Sequence, residues 1–187
     1  MHVACIAHLT AQGKYVDNQR EVVRVKRIWS PWRMRYVGSG PSKGGGCIFC
    51  DKAAAPPEQD RANYVLQRGT HGLMILNLYP YNNGHFMVAP YAHVASLEQL
   101  DAAVLADLML MVNRGIGALR TAMRAAGFNI GVNLGAAAGA GIIDHVHIHV
   151  VPRWVGDTNF MPIFSETKVI PELLDGTYDK LKPLLGQ

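Results

Sequence analysis

Three short apolar runs occur in the first half of the chain and are bounded by polar residues. They cover residues 64–67, 73–80 and 84–90, and runs of this length and composition predict strands. Residues 81–84, Tyr-Asn-Asn-Gly, separate the last two runs and contain the Asn-Gly signal of a hairpin. We therefore expect the second and third strands to be neighbours joined by a tight turn.

A helical period replaces this pattern after residue 96. Ser96 and Gln99 match a capping box, which predicts a helix start. Apolar residues then recur every three or four positions to about Arg124, as in a long amphipathic helix, and Gly127 is expected to end it. The apolar positions are Leu97, Leu100, Val104, Leu108, Met111, Val112, Ile116 and Leu119.

Two more strands are predicted after the helix. They cover residues 128–135 and 142–154, and a turn of small residues at 136–141 separates them. Pro152 closes the second strand. The order of strands, helix and strands indicates an α+β domain with a mainly antiparallel sheet and one long helix.

The segments outside this core differ in composition. We divide the chain into an N-terminal arm and linker at 1–44, a domain at 45–165 and a C-terminal tail at 166–187. The glycine-rich run 38–46 is typical of a linker. The aromatic segment 28–37 is too apolar to remain in solvent, so we expect it to dock on the domain or on a partner subunit.

Composition indicates an ordinary globular protein. The chain has 187 residues, of which 49% are hydrophobic and 17% charged. We find no apolar run that approaches the 18 or more residues of a membrane span and no secretory signal at the start, so we expect a cytoplasmic protein with no membrane partner. The net charge of +4 comes largely from basic residues early in the chain. These residues form either a solvated arm or an attraction for an anionic substrate, and without a nucleic-acid-binding signature we expect no nucleic-acid partner.

The most informative pattern is His145, His147 and His149, which alternate with aliphatic residues. Side chains two apart on a strand share a face, so the three imidazoles are expected to point the same way. Three polar rings on a buried strand would be costly as inert groups. Two hypotheses remain: a zinc ion on all three imidazoles, or an imidazole that attacks phosphorus and forms a phosphoramidate. The small-residue turn at 135–141 favours the second, because it lets backbone N–H groups approach a phosphate closely.

The segment 145–154, HVHIHVVPRW, resembles the motif of the histidine-triad family. The resemblance runs from about Ile28 to Phe164 and is greatest to a bacterial branch similar to diadenosine tetraphosphate phosphorylases and hydrolases and to fragile-histidine-triad proteins. It implies the histidine-triad fold. It also implies a homodimer whose sheet extends across the interface, with the long helix and adjacent strands between the subunits.

The resemblance also implies roles for individual residues. His147 corresponds to the nucleophile, His149 to a phosphate contact and helper, and His85 to a fourth histidine beside the site. The implied nucleotide contacts are Ile48, Phe49 and Ile75 at the base, Asn77 at the ribose, and Asn133, Gly139, Ala140 and Gly141 at the phosphates. Related proteins often have Gly-Gln-Ser or Gly-Gln-Thr in that last stretch, so only backbone contacts carry over here. Trp154 and Arg153 either border the site or pack the end of the strand.

A close pair of cysteines, Cys47 and Cys50, suggests metal or redox chemistry. Combined with two histidines, such a pair would form a closed, structural zinc site. The resemblance implies Cys47, Cys50, His93 and His145 as the ligands, which would make His145 a ligand rather than a catalyst. The alternative is a pair of packed thiols without metal.

The implied activity is cleavage of diadenosine tetraphosphate at its α-phosphorus through a nucleotidyl group on His147. The partners are then AMP, ATP and diadenosine polyphosphates, and the acceptor is inorganic phosphate or water. Three alternatives stay open: a zinc hydrolase that uses the whole triad, a nucleoside phosphoramidate hydrolase, and an AMP-binding regulatory protein.

Overall fold

The computed structural model describes residues 46–157 and 172–185. Its helices and strands, in chain order, are α1 (Ile48–Ala54), β1 (Val65–Arg68), β2 (Gly72–Leu76), β3 (Phe86–Pro90), α2 (Ala102–Met123), β4 (Gly127–Val132), β5 (Ile148–Arg153) and α3 (Leu174–Leu185). The aromatic segment 28–37, the linker up to residue 45 and residues 158–164 at the end of the resemblance lie outside the described residues.

The five strands form one sheet in the order β1-β2-β3-β5-β4, and every neighbouring pair is antiparallel. Strands β2 and β3 are antiparallel neighbours as predicted, but residues 77–85 connect them in place of the expected tight turn, and Gly84 in this connection has a φ of 76°. The predicted α+β class, with a mainly antiparallel sheet and one long helix, is confirmed. Strand β1 is as long as the run that predicted it, and the other four strands are shorter because pairing stops where the connecting turns begin. Strand β5 begins at Ile148 rather than at residue 142, so His145 and His147 precede it.

Different helices cover the two faces of the sheet. Alternate side chains such as Phe86, Val88 and Val150 pack with α2 and α3 in the larger core. The opposite set, including Ile75 and Met87, packs with Phe49 and its neighbours at the start of α1 in a smaller cluster. Because strand side chains alternate between faces, His149 on β5 lies on the α1 side, between the core residues Ile148 and Val150.

The long helix starts later than predicted. Ser96 and Gln99 do form a capping box, but it caps a separate 3₁₀ turn at Leu97–Gln99. Leu100 is extended, with φ −103° and ψ 143°, and so interrupts the helical conformation. Asp101 then caps α2 by accepting a hydrogen bond from the backbone N–H of Val104 at 2.9 Å.

The end of the helix also differs from the prediction. Arg124 ends it in a left-handed conformation with φ 52°, and Gly127 instead begins β4. By length and composition alone α2 would pass as a membrane span, which corrects the expectation that no segment approaches one. Core helices have the same composition, and the inner face of α2 packs against the sheet through buried residues such as Leu108, Val112 and Leu119.

The segment 166–187, for which the sequence analysis predicted no element, contains α3. Tyr178, Leu181 and Leu185 are buried in the larger core, and the Tyr178 hydroxyl donates to the Val65 carbonyl at 3.3 Å. Thus α3 covers the β1 end of the sheet on the side away from His149. The division into arm, domain and tail stays a prediction.

Candidate active site

His147 lies just before β5 and is 5% exposed. Its Nδ1–H donates to the backbone carbonyl of His145 at 2.9 Å, so the lone pair of the neutral ring is on Nε2. Burial lowers the pKa of His147, and the hydrogen bond to the carbonyl offsets part of that effect. A neutral imidazole with an unprotonated Nε2 is the form that acts as a nucleophile.

A cavity of about 260 Å³ opens beside this ring. The cavity is lined by the predicted nucleophile His147 and by most of the residues predicted to contact the nucleotide. These are Ile48, Ile75, Asn77, Asn133, Gly139, Gly141 and His149. Apolar walls with a few polar groups at one end are typical of a small-molecule site. Aliphatic side chains thus meet the two histidines and an asparagine in one cavity.

The structure places three of the predicted contact residues elsewhere. Phe49 lies fully buried beneath the cavity, with its ring centroid 4.9 Å from that of His147. Ala140 is buried in the turn, 8% exposed, and does not line the cavity. Trp154 packs against the larger core and donates its indole N–H to the carbonyl of Met123 at 3.0 Å, which is the packing alternative left open above.

His149 is joined to His85 by a hydrogen bond that determines its protonation. The backbone N–H of Tyr81 donates to His85 Nδ1 at 3.1 Å, so the His85 proton is on Nε2. That nitrogen lies 3.1 Å from His149 Nδ1 and donates to it. Neutral His149 therefore carries its own proton on Nε2, where it can donate a hydrogen bond to a phosphate oxygen. The His147 and His149 ring centroids are 4.7 Å apart, which places a hydrogen-bond donor beside the ring whose Nε2 carries the lone pair.

The turn before the histidines is shaped by glycine. Gly135 and Gly139 have φ of 74° and 80° and flank a 3₁₀ turn at Ala136–Ala138. A Cβ added at either glycine would meet nothing within 4 Å, so glycine is needed here for its conformation rather than for space. Gly139 and Gly141 bring the backbone of this turn to the cavity wall.

The four predicted metal ligands form a second cluster behind His147. The Sγ atoms of Cys47 and Cys50 and a ring nitrogen of each of His93 and His145 all lie within 4.8 Å of one another. The individual distances include 3.2 Å from Cys47 Sγ to His145 Nδ1 and 3.3 Å from Cys50 Sγ to His93 Nδ1. Ligands of a tetrahedral zinc ion are about 3.3–3.8 Å apart, given metal–ligand distances near 2.0–2.3 Å. The spacing fits such an ion.

Protonation at this cluster also fits a cation. His145 Nε2 donates to the carbonyl of Pro90 at 2.9 Å, which leaves Nδ1 unprotonated and facing His93 Nδ1 at 3.3 Å. Burial lowers the pKa of His145, so its neutral, ligating form is favoured. Neither His147 nor His149 belongs to the cluster. The three imidazoles therefore do not converge on one metal, contrary to the zinc hypothesis that uses the whole triad.

Sequence reasoning missed several cavity residues: Lys52, Leu76, Leu78, Tyr79, Tyr81, Met87 and Ile142. Lys52 follows Ile48 by four positions, one turn of α1, which places both side chains on the same face of the helix. Its Nζ donates to the carbonyl of Asn63 at 3.0 Å, and burial lowers its pKa. Helical spacing was the available signal for Lys52. The remaining missed residues line the cavity because of the way strands and turns pack against one another, which local spacing does not predict.

Comparisons with known proteins agree with this geometry. The HIT domain model matches residues 59–155. The AP-4-A phosphorylase of Mycobacterium tuberculosis is 41% identical over 158 residues, which covers 82% of this chain and 81% of that protein. The nitrilase and fragile histidine triad fusion protein NitFhit of Caenorhabditis elegans is 32% identical over 81% of this chain, although the match spans 33% of the fusion protein.

Solved structures give the same result. A Zn-bound histidine triad family protein from Mycobacterium smegmatis has a TM-score of 0.58 and 25% identity, covering 74% of this chain and 92% of that one. A hypothetical histidine triad nucleotide-binding protein from Sulfolobus tokodaii has a TM-score of 0.57 and 28% identity, covering 74% and 88%. The predicted family resemblance is confirmed, and the chain belongs to the HIT-domain family.

Proposed function

We propose that the chain is a nucleotide phosphorylase or hydrolase that cleaves dinucleoside polyphosphates, diadenosine tetraphosphate in particular. The observation that carries the proposal is the pairing of His147, buried with its Nε2 unprotonated, with His149, whose proton is on Nε2. The 41% identity to an AP-4-A phosphorylase supports this choice of substrate.

In the first step, the lone pair of His147 Nε2 attacks the α-phosphorus and forms a P–N bond. The bond from that phosphorus to the bridging oxygen breaks, and the oxygen keeps the electron pair and accepts a hydrogen bond from His149 Nε2–H, so the leaving group departs as an anion. ATP leaves, and AMP remains attached to His147. His85 supports His149 throughout, because its Nε2–H bonds to His149 Nδ1.

In the second step, an oxygen of the acceptor attacks the same phosphorus, and the P–N bond to His147 breaks. The electron pair of the broken P–N bond returns to His147 Nε2, and the proton displaced from the acceptor passes to solvent, which restores the neutral His147. Inorganic phosphate as acceptor yields ADP, and water yields AMP. The 41% identity to a phosphorylase favours phosphate.

The nucleoside half of the substrate fits the cavity described above. We place the base between Ile48 and Ile75, above the buried ring of Phe49, and the ribose beside Asn77. The Asn77 side chain is held by the backbone N–H of Tyr79, which donates to its Oδ1 at 2.9 Å. The phosphates would then lie against the backbone of the Gly139–Gly141 turn and beside Asn133.

We also propose that Cys47, Cys50, His93 and His145 hold a structural zinc ion. Their spacing and the Zn-bound relative from Mycobacterium smegmatis support this. These four residues would tie the start of α1 to the segments that carry His93 and His145, and an ion held by them would have a structural role. The two thiols suit a reducing compartment, which supports the cytoplasmic location.

A homodimer completes the proposal. Met109 and Leu110 on α2 and Ile130 on β4 are 50%, 57% and 47% exposed, and β4 is an edge strand of the described sheet. Apolar side chains beside an unpaired strand edge favour pairing with a second copy across a two-fold axis. The sheet would then continue from one subunit into the other.

The test is to incubate the protein with diadenosine tetraphosphate, with and without inorganic phosphate, and separate the products. ATP plus ADP only in the presence of phosphate identifies a phosphorylase, and ATP plus AMP without phosphate identifies a hydrolase. His147→Ala should abolish turnover but keep AMP binding. Turnover by that variant, or no cleavage by the unaltered protein under either condition, would refute the proposal.

A further inference from the structure

A second cavity, of about 420 Å³, adjoins the nucleoside cavity. The two share Tyr81, Asn133 and His149, whereas His147 lines only the first. A group that departs from phosphorus leaves on the side opposite the nucleophile and close to the side chain that donates a hydrogen bond to its bridging oxygen. In the proposed reaction that direction leads away from His147, past His149 and into the second cavity.

The second cavity is a groove on the outer face of β4 and β5. His149, Val151 and Arg153 point into it because Ile148 and Val150, which alternate with them, point into the core. The partners across the ladder are Gly131 for His149 and Asn129 for Val151. Gly131 and Val151 therefore form the floor of the groove, and Arg153 and Asn129 lie at the end away from His149.

Arg153 is the one lysine or arginine that lines the groove in the described part of the chain. Asp157 holds its guanidinium through Nε at 2.6 Å and Nη2 at 2.8 Å, and Asn129 accepts from Nη1 at 2.9 Å. Asp157 is itself fixed, because it accepts from Asn82 Nδ2 at 2.9 Å.

Arg153 is therefore held in place before a ligand arrives. An arginine has five N–H donors, so two of those on Arg153 have no acceptor among the described residues. Little conformational freedom remains to be lost when a ligand binds to it.

The reach of the groove indicates which part of a substrate meets Arg153. His149 and Arg153 are four residues apart on a strand, or about 13 Å at 3.3 Å per residue. The α-phosphate beside His149 is out of range of the guanidinium, whereas the distal phosphates of a longer chain can reach it. Planar N–H pairs of arginine are well suited to phosphate oxygens.

We propose that this groove is the subsite for the leaving nucleoside polyphosphate and that Arg153 binds its distal phosphates. This proposal rests on the proposed function and extends it. If Arg153 binds the distal phosphates, kcat/KM depends on the length of the polyphosphate chain. Substrates with a small leaving group do not enter the groove and gain nothing from Arg153.

The first experiment compares kcat/KM for diadenosine tetraphosphate and for adenosine 5′-phosphoramidate, whose leaving group is ammonia. Arg153→Gln should lose about tenfold on the tetraphosphate, the lower end of what one charge-assisted hydrogen bond contributes, and should match the unaltered protein on the phosphoramidate. Arg114→Gln is the control, because it removes an exposed charge from α2, where Arg114 donates to Gln67. Equal losses on both substrates, or none on the tetraphosphate, would overturn the subsite.

A binding experiment separates this proposal from the proposed function. Calorimetric titration with inorganic tripolyphosphate requires no turnover, and Arg153→Gln should bind it about tenfold more weakly. Val151→Glu leaves the Arg153–Asp157 pair in place but adds a negative charge to the groove floor, and it should weaken binding too. Unchanged tripolyphosphate affinity in both variants overturns the subsite, whereas failure to cleave diadenosine tetraphosphate with normal tripolyphosphate binding overturns only the reaction.

Discussion

Arg68 on β1 secures the C-terminal end of α1, the helix whose other end carries residues of both the nucleotide cavity and the metal cluster. Its guanidinium donates to the carbonyls of Lys52, Ala53 and Ala55 at 3.0, 2.8 and 2.9 Å. It also pairs with Asp60, which is 8% exposed, at 2.8 Å. A helix of seven residues is too short to be stable alone, so we infer that this arginine holds α1 against the sheet.

The variant that tests this is Arg68→Met, which keeps much of the side-chain length and removes every N–H donor of the guanidinium. Breaking a buried ion pair by removing one partner costs about 3–5 kcal/mol, because the other charge stays buried without compensation. Lys182 Nζ lies 3.8 Å from Asp60 and partly compensates, so we expect a loss of about 3 kcal/mol in the free energy of unfolding.

The control is Arg61→Met. Arg61 also pairs with an aspartate, Asp179, but both side chains are more than half exposed, at 57% and 54%, and such pairs contribute little to stability. Urea unfolding of the two variants and the unaltered protein at one protein concentration measures the difference. Arg68→Met should also raise KM for the nucleotide, since α1 carries Ile48 at the cavity wall. Equal stability of the two variants would show that Arg68 does not hold α1 against the sheet.

Three further predictions concern packing, assembly and metal. Gly115→Ala should lower the free energy of unfolding by about 1–2 kcal/mol, because its Cβ would lie 2.3 Å from the ring of Phe86. Gly117→Ala is the control and should not destabilise the fold, because its Cβ would meet nothing within 4 Å. Chemical denaturation measures both. Ile130→Asp should convert the proposed dimer to a monomer in analytical ultracentrifugation, and a variant that stays dimeric would exclude β4 from the interface. Elemental analysis should find one zinc ion per chain, which chelation and His145→Ala should remove. His147→Ala and His149→Ala should keep it. Loss of zinc in all three variants would favour one metal shared by the whole triad.

Local pattern was sufficient for much of the fold. Strand runs and the helical period are encoded in adjacent residues, so the five strands and α2 could be placed within a few residues. Their ends were less accurate. A capping box at Ser96 satisfies a 3₁₀ turn as well as a helix, and the extended Leu100, on which the start of α2 depends, has no distinctive sequence signal. Helix α3 was missed because its packing on β1 decides its stability more than its composition does.

The residues that carry the chemistry of the site could be identified without the fold: the alternating histidines before and within β5, a close cysteine pair and a glycine-containing turn. The tertiary structure assigns these groups to two sites, the metal cluster and the nucleotide cavity. It places His145 with cysteines 95 and 98 positions away, and it joins His149 to His85 across β3 and β5. It also brings Tyr81 and Asn133 to the face of β5 on which Arg153 lies, which alternation along the strand does not predict. Periodicity determines the face of a strand on which a side chain lies, but which strands and turns meet that face depends on sheet order and on contacts between distant parts of the chain.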